Sequence, residues 1–135
     1  LPGRRSARIL LVEDNPVNQK VALLQLERLG CHADVAGDGQ QALAKLAERK
    51  YDLVLMDCQM PVMDGYTATR AIRAGQTPGV PTDIPVVALT ANAMTADLQL
   101  CREAGMNDWI TKPVKLETLA GILERFLPDP KSATS

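Results

Sequence analysis

The chain has 135 residues, 46% of them hydrophobic, and a formal net charge of −1 with both signs spread along its length. That is the size of one domain, able to bury roughly two-thirds of the surface its unfolded chain exposes. The charge balance argues against general binding to nucleic acid or to an anionic membrane, and no apolar run is long enough to span a bilayer.

With one Trp, two Tyr and one Phe, aliphatic packing must carry the core. No signal-peptide pattern is visible. Cys31, Cys58 and Cys101 lack metal-ligand spacing, and their odd number fits a reduced, cytosolic setting in which they act as small core hydrophobes. Residues 1–7, LPGRRSA, read as a linker or cloning remnant ahead of a domain over 8–127, with 128–135 a flexible tail. The chain reads as a domain excised from something larger.

Arg8–Val12 (RILLV) is apolar and too short for a helix, so it reads as a buried strand. Asn15 and Pro16 predict an N-cap followed by Pro in the first helical turn. Val17, Val21, Leu24 and Arg28 continue at helical spacing to Gly30, a C-terminal stop. His32–Ala36 alternates weakly as a second strand, with His32 half-exposed and no metal or catalytic role. GDG at 37–39 turns into a helix carrying Leu43, Leu46 and Ala47, and residues 53–56 form a third strand. A helix capped by Asp64 carries Ala68 and Ile72, with Met60 and Met63 packing about the turn before it. The Gly/Pro-rich loop 74–85 leads to a fourth strand at 86–89 and a helix around 96–104 that stops at Gly105. Asp108–Thr111 is the fifth strand, and the last helix sets Leu116, Leu119, Leu123 and Phe126 on one face before Pro128 closes it.

Five strands alternating with five helices predict an α/β doubly wound sheet, and the unbroken apolar character of strands one, three and four predicts parallel strands covered on both faces. Right-handed crossovers then bring all the strands' carboxyl ends to one edge, where such sheets bind ligands. Strand one ends in Glu13-Asp14, strand three in Asp57, strand four in Thr90 and strand five in Lys112. Three carboxylates there repel unless a cation joins them, and an all-oxygen set suits a hard ion such as Mg2+. A carboxylate beside Mg2+ can attack a phosphoryl group to give an acyl phosphate. Asp57, arriving alone in the centre, is the nucleophile candidate, while Glu13 and Asp14 read as metal holders. The Lys112 ammonium and Thr90 hydroxyl are placed to neutralise and donate to phosphoryl oxygens.

The motifs LLVEDNPVNQ, LVLMDCQMPVMDG, ALTANAM and DWITKPV follow in that order, each at a strand end, from about residue 8 to 127. They resemble the receiver domain of two-component response regulators, and their wording is most similar to the receivers attached to hybrid sensor histidine kinases. The resemblance implies a five-stranded flavodoxin-like fold with Asp57 as phosphoacceptor. It further implies Asp14, Asp57 and the backbone carbonyl of Gln59 as Mg2+ ligands, with Glu13 acting through water. Thr90 corresponds to the switch hydroxyl, Lys112 to the cation that pairs with the phosphoryl group, and Ala91 to the small residue that leaves it room. The Lys112–Pro113 bond corresponds to one that is often cis. The expected partners are a histidine kinase core and/or a His phosphotransfer domain, met in the cytoplasm, in a parent chain that an inner-membrane anchor could hold. No direct contact with nucleic acid or membrane is expected, and the domain should be a monomer or weak dimer. Phosphorylation should switch the surface made by the fourth helix, fifth strand and fifth helix. At the second switch position, where the family usually has Tyr or Phe, this chain has Trp109, a larger ring that swings inward less readily.

Each residue also has a plainer reading. Glu13-Asp14 alone is a solvated strand end, Asp57 alone an Asx-turn, Lys112 a surface charge, Thr90 a β-branched strand residue and Trp109 ordinary packing. Their coincidence at one sheet edge favours the site. A haloacid-dehalogenase-type phosphatase would want a second Asp two residues after the nucleophile, where Gln59 stands. A flavodoxin-like cofactor binder would want Ser, Thr and Gly after strand one, where EDNPVN repels phosphate. A docking-only receiver would not need the whole acidic set, whereas a stand-alone response regulator remains the alternative to a hybrid-kinase receiver.

Overall fold

A computed structural model describes residues 7–60, 62–91 and 94–127. The expected linker, apart from Ala7, and the tail with Pro128 lie outside the described residues. The elements are β1 (Arg8–Val12), α1 (Pro16–Arg28), β2 (His32–Ala36), α2 (Gly39–Glu48), β3 (Leu53–Asp57), α3 (Gly65–Arg73), β4 (Val86–Thr90), α4 (Thr95–Ala104), β5 (Asp108–Thr111) and α5 (Leu116–Phe126). Strands β3 and β4 each run one residue past the apolar run that marked them, so Asp57 and Thr90 are themselves the last strand residues.

All four strand pairs are parallel, in the order β2-β1-β3-β4-β5. This is the doubly wound, flavodoxin-like order, and the direction of winding reverses between β1 and β3, opening a crevice at their carboxyl ends. Side chains alternate across the sheet. Leu10, Val12, Val54, Met56, Val86 and Ala88 meet α2, α3 and α4 on one face. Ile9, Leu11, Leu53, Leu55, Val87, Leu89 and Ile110 meet α1 and α5 on the other. Both faces being covered explains why three strands read as continuous apolar runs.

The local signals act as expected at the helix starts. Asn15 Oδ1 accepts from the N–H groups of Val17 at 2.8 Å and Asn18 at 3.2 Å, ahead of Pro16. Asp64 Oδ1 accepts from Thr67 N–H at 2.7 Å and starts α3. The inward face of α1 differs from the expected one. Ala22 and Leu26 are buried there, while Val17 and Leu24 are 68% and 60% exposed. The run VALLQL offers two overlapping periodic sets, and the sheet takes the one whose Ala lets the helix approach closely. In α2, likewise, Ala42 and Leu46 are buried and Ala47 is exposed.

The turn after β3 is tight because α3 begins against the strand it follows. The Gly65 N–H donates to the Cys58 carbonyl at 3.1 Å, and a Cβ on Gly65 would stand 2.2 Å from the Asp57 carbonyl oxygen. Only glycine fits there. Within the turn Val62 has φ 70°, a left-handed conformation unfavourable for a β-branched residue. A second fastening lies at the opposite sheet edge. Arg73 donates from Nε to Gly105 O (2.9 Å), from Nη1 to Thr82 O (2.8 Å) and Ile84 O (2.7 Å), and from Nη2 to Asn107 Oδ1 (2.8 Å). It ties the 74–85 loop to the end of α4.

Candidate functional site

At the carboxyl edge of the sheet, Glu13, Asp14, Asp57, Gln59, Thr90, Ala91 and Lys112 line one cleft of about 420 Å³. Each arrives by a short route from the core. Glu13 and Asp14 follow β1 directly, and consecutive side chains diverge, so Glu13 is buried and Asp14 exposed. The Glu13 backbone is pinned by its own N–H to Ala36 O at 3.0 Å and by Gln19 Nε2, which donates to its carbonyl at 2.6 Å. Lys112 N–H donates to Thr90 O at 2.8 Å and so extends the β4–β5 pairing one step beyond the strands. The Lys112–Pro113 peptide is cis, as the resemblance implied.

Lys112 Nζ lies 2.9 Å from Glu13 Oε2 and 3.0 Å from Asp57 Oδ2, bridging the two carboxylates. Asp57 is 3% exposed, and its other oxygen accepts from Gln59 N–H at 3.2 Å. One oxygen from each of Glu13, Asp14 and Asp57 lies within 4.8 Å of the others. Three carboxylates against one ammonium leave an excess of negative charge at the rim. Burial, together with the neighbouring Glu13 charge, pushes the Asp57 carboxyl up to about 6, against the opposing pull of Lys112. Burial also works against ionised Glu13, but Lys112, the Asn15 N–H and the Asp57 side chain outweigh it and hold Glu13 low. For Lys112 burial favours the neutral form, and the two carboxylates override it to raise its pKa. Of Glu13 and Asp57, it is Asp57 whose charge burial disfavours on balance, and an added hard cation would relieve it.

The sequence reading missed Asn15, Asn18, Tyr66 and Asp97, which also line the cleft. Asn15 had been assigned only its capping role, and Asp97 and Tyr66 enter from the first turns of α4 and α3 without any motif to mark them. Trp109 is not brought to the cleft. It lies on the outer side of β5, 37% exposed, where it borders a shallow depression with Thr111 and Lys115.

The chain belongs to the family of response regulator receiver domains, whose model matches residues 9–124. It is 42% identical to histidine kinase 1 of Arabidopsis thaliana over 79% of this chain and 12% of that protein. It is 40% identical to hybrid signal transduction histidine kinase K of Dictyostelium discoideum over 87% of this chain and 10% of that one. Among solved structures it resembles the receiver domain of a sensor histidine kinase from Pseudomonas aeruginosa. That match has 48% identity and a TM-score of 0.80, and it covers 89% of this chain and 96% of that one, a structure with a magnesium ion coordinated in its active-site cleft. This chain is therefore a receiver domain homologous to those of hybrid histidine kinases, and it spans only a small part of the curated relatives it matches.

Proposed function

We propose that Asp57 accepts a phosphoryl group from a phosphohistidine of a kinase core or His phosphotransfer domain, within a hybrid sensor histidine kinase acting in the cytoplasm. The observation that carries the reading is the buried Asp57 carboxylate at a strand tip, 3.0 Å from Lys112 Nζ and within reach of two further carboxylates. In the transfer an Asp57 oxygen forms the new bond to phosphorus. The P–N bond breaks, its electron pair stays with the imidazole, and the departing ring nitrogen takes up a proton. Lys112 is already in place to follow the added charge. Thr90, 5% exposed at the end of β4, supplies a hydroxyl beside it, and Ala91 opposes no bulk to an incoming phosphoryl group.

The donor set fits Mg2+, since it is all oxygen, anionic and open to solvent on the Asp14 side. Asp14, Asp57 and the Gln59 carbonyl would hold the ion, with Glu13 acting through water. Bound there, Mg2+ supplies charge neutralisation for the phosphoryl oxygens. Among the described residues no helix is long and apolar enough to cross a membrane. A monomer or weak dimer is the expected state. The test is labelling by acetyl phosphate with Mg2+. Asp57→Asn should lose at least about 100-fold in labelled fraction, as removal of the nucleophile requires, and labelling of that variant at the wild-type rate would remove Asp57 from the role.

A further inference from the structure

We propose that Cys58 and Cys101 form an oxidisable dithiol whose disulfide fastens α4 to the end of β3, next to Asp57. The two sulfurs lie 3.8 Å apart across 43 residues of sequence, one just after β3 and one on the buried side of α4. Both belong to the layer between the sheet and α2–α4, in one buried cluster with Met56, Ala68 and Ile72. A disulfide needs the sulfurs about 2.05 Å apart, an approach of roughly 1.8 Å that side-chain rotation and a small helix shift supply. Cys31, the third cysteine, packs in the opposite layer and is excluded from the pair.

Access decides which sulfur reacts first. Cys58 lines the acidic cleft although it is buried, so a small hydroperoxide reaches it through the opening that exposes Asp57. Its sulfur attacks one peroxide oxygen and the O–O bond breaks. The departing oxygen keeps the electron pair, takes up the proton that the Cys58 thiol gives up, and leaves as water or an alcohol, giving a Cys58 sulfenic acid. Cys101 sulfur then attacks the Cys58 sulfur, the S–O bond breaks, and hydroxide departs with the Cys101 proton as water. Two thiols and one hydroperoxide yield one disulfide, with each sulfur giving one electron.

The crosslink stands on the sulfur geometry alone, whereas its consequence rests on the proposed function. The α4 helix follows the segment that bears Thr90 and Ala91, and a covalent tie from its middle to the residue after Asp57 limits its movement relative to the phosphoacceptor.

The full 135-residue chain should be treated with hydrogen peroxide, alkylated, and digested without reduction. The expected product is a Cys58–Cys101 linked peptide with an intact mass lower by about 2 Da, reversed by a dithiol. It should be absent from Cys58→Ala and Cys101→Ala, whose folding is checked by circular dichroism, and Cys31 should remain a thiol. Three alkylatable thiols after treatment, or sulfinic acid on Cys58 with Cys101 unoxidised, would overturn the crosslink. In the oxidised chain amide exchange along α4 should slow by about tenfold relative to treated Cys101→Ala. A linked peptide with unchanged exchange overturns the strap. Failure of the reduced wild type to accept phosphoryl groups would count against the proposed function and leave the crosslink standing.

Discussion

Asp57 is held where its own ionisation works against the fold. Its folded pKa lies above the ordinary carboxylate value, at about 6, so its favourable contribution is complete below the unfolded value near 4 and is lost as pH rises through 6. Above that pH the metal-free protein carries the cost, and Asp57→Asn removes it. The variant should be more stable than wild type by about 2 kcal/mol at pH 7, with the difference vanishing near pH 4. Parallel urea melts of the two proteins without divalent ions measure this, and saturating Mg2+ should reverse the ranking. Equal midpoints at pH 7 would mean that Lys112 already satisfies the charge. At this scale the positions of Asp57 and Thr90 were legible because each ends an apolar strand, and that of Lys112 because it stands before Pro113 just past β5. The bridging of Glu13 by Lys112 was not, since it depends on how far two strand ends stand apart, which no local pattern encodes.

At the scale of elements, the caps and stops were readable and the orientations less so. Asn15, Asp64 and Gly105 mark their helix ends through backbone chemistry local to a few residues. The rotation of α1 was not readable, because choosing Ala22 and Leu26 over Val17 and Leu24 depends on the sheet beneath. Nor did loop 74–85 announce that Arg73 would hold it. Arg73 serves four acceptors, three of them backbone carbonyls, and is partly buried, so Arg73→Ala removes the guanidinium from all four, while Asn107 Oδ1 keeps the Val86 N–H. The loss should be about 2–3 kcal/mol, read as a lower denaturant midpoint, with the loop's amides exchanging faster. A change within about 0.5 kcal/mol would show that water replaces the guanidinium. The β3–α3 turn offers the opposite case. Val62 is 73% exposed at φ 70°, so it contributes strain and little packing. Val62→Gly should stabilise the domain by about 1 kcal/mol, visible as a raised melting temperature, and a lowered one would show that the side chain packs in a way its exposure hides.

The whole molecule joins these parts through one sheet whose strand order places the acidic tips of β1 and β3 side by side and sets β4 and β5 next to them. That all the strand ends share one edge follows from alternating elements and handed crossovers and could be read from sequence, whereas the flavodoxin-like order came with the family resemblance. The link from the site to β5 could not be read in this way, because it consists of pairings formed only in the assembled sheet. Thr90 pairs with Thr111, Ala88 with Trp109, and the Lys112 N–H closes on the Thr90 carbonyl. A shift of Thr90 toward a phosphoryl group therefore pulls on β5 directly, and Trp109, the single Trp, rides on that strand about one-third exposed. A conformational change needs a ligand that favours one state over the other, and beryllofluoride with Mg2+ supplies a phosphoryl mimic at Asp57. Trp109 emission should shift on adding both together and not with Mg2+ alone. The shift should be lost in Thr90→Ala while Mg2+ affinity stays within about threefold, since in the proposed function the hydroxyl meets the phosphoryl group and not the metal. An equal shift in Thr90→Ala would separate the ring from the hydroxyl and leave the movement of β5 to Lys112.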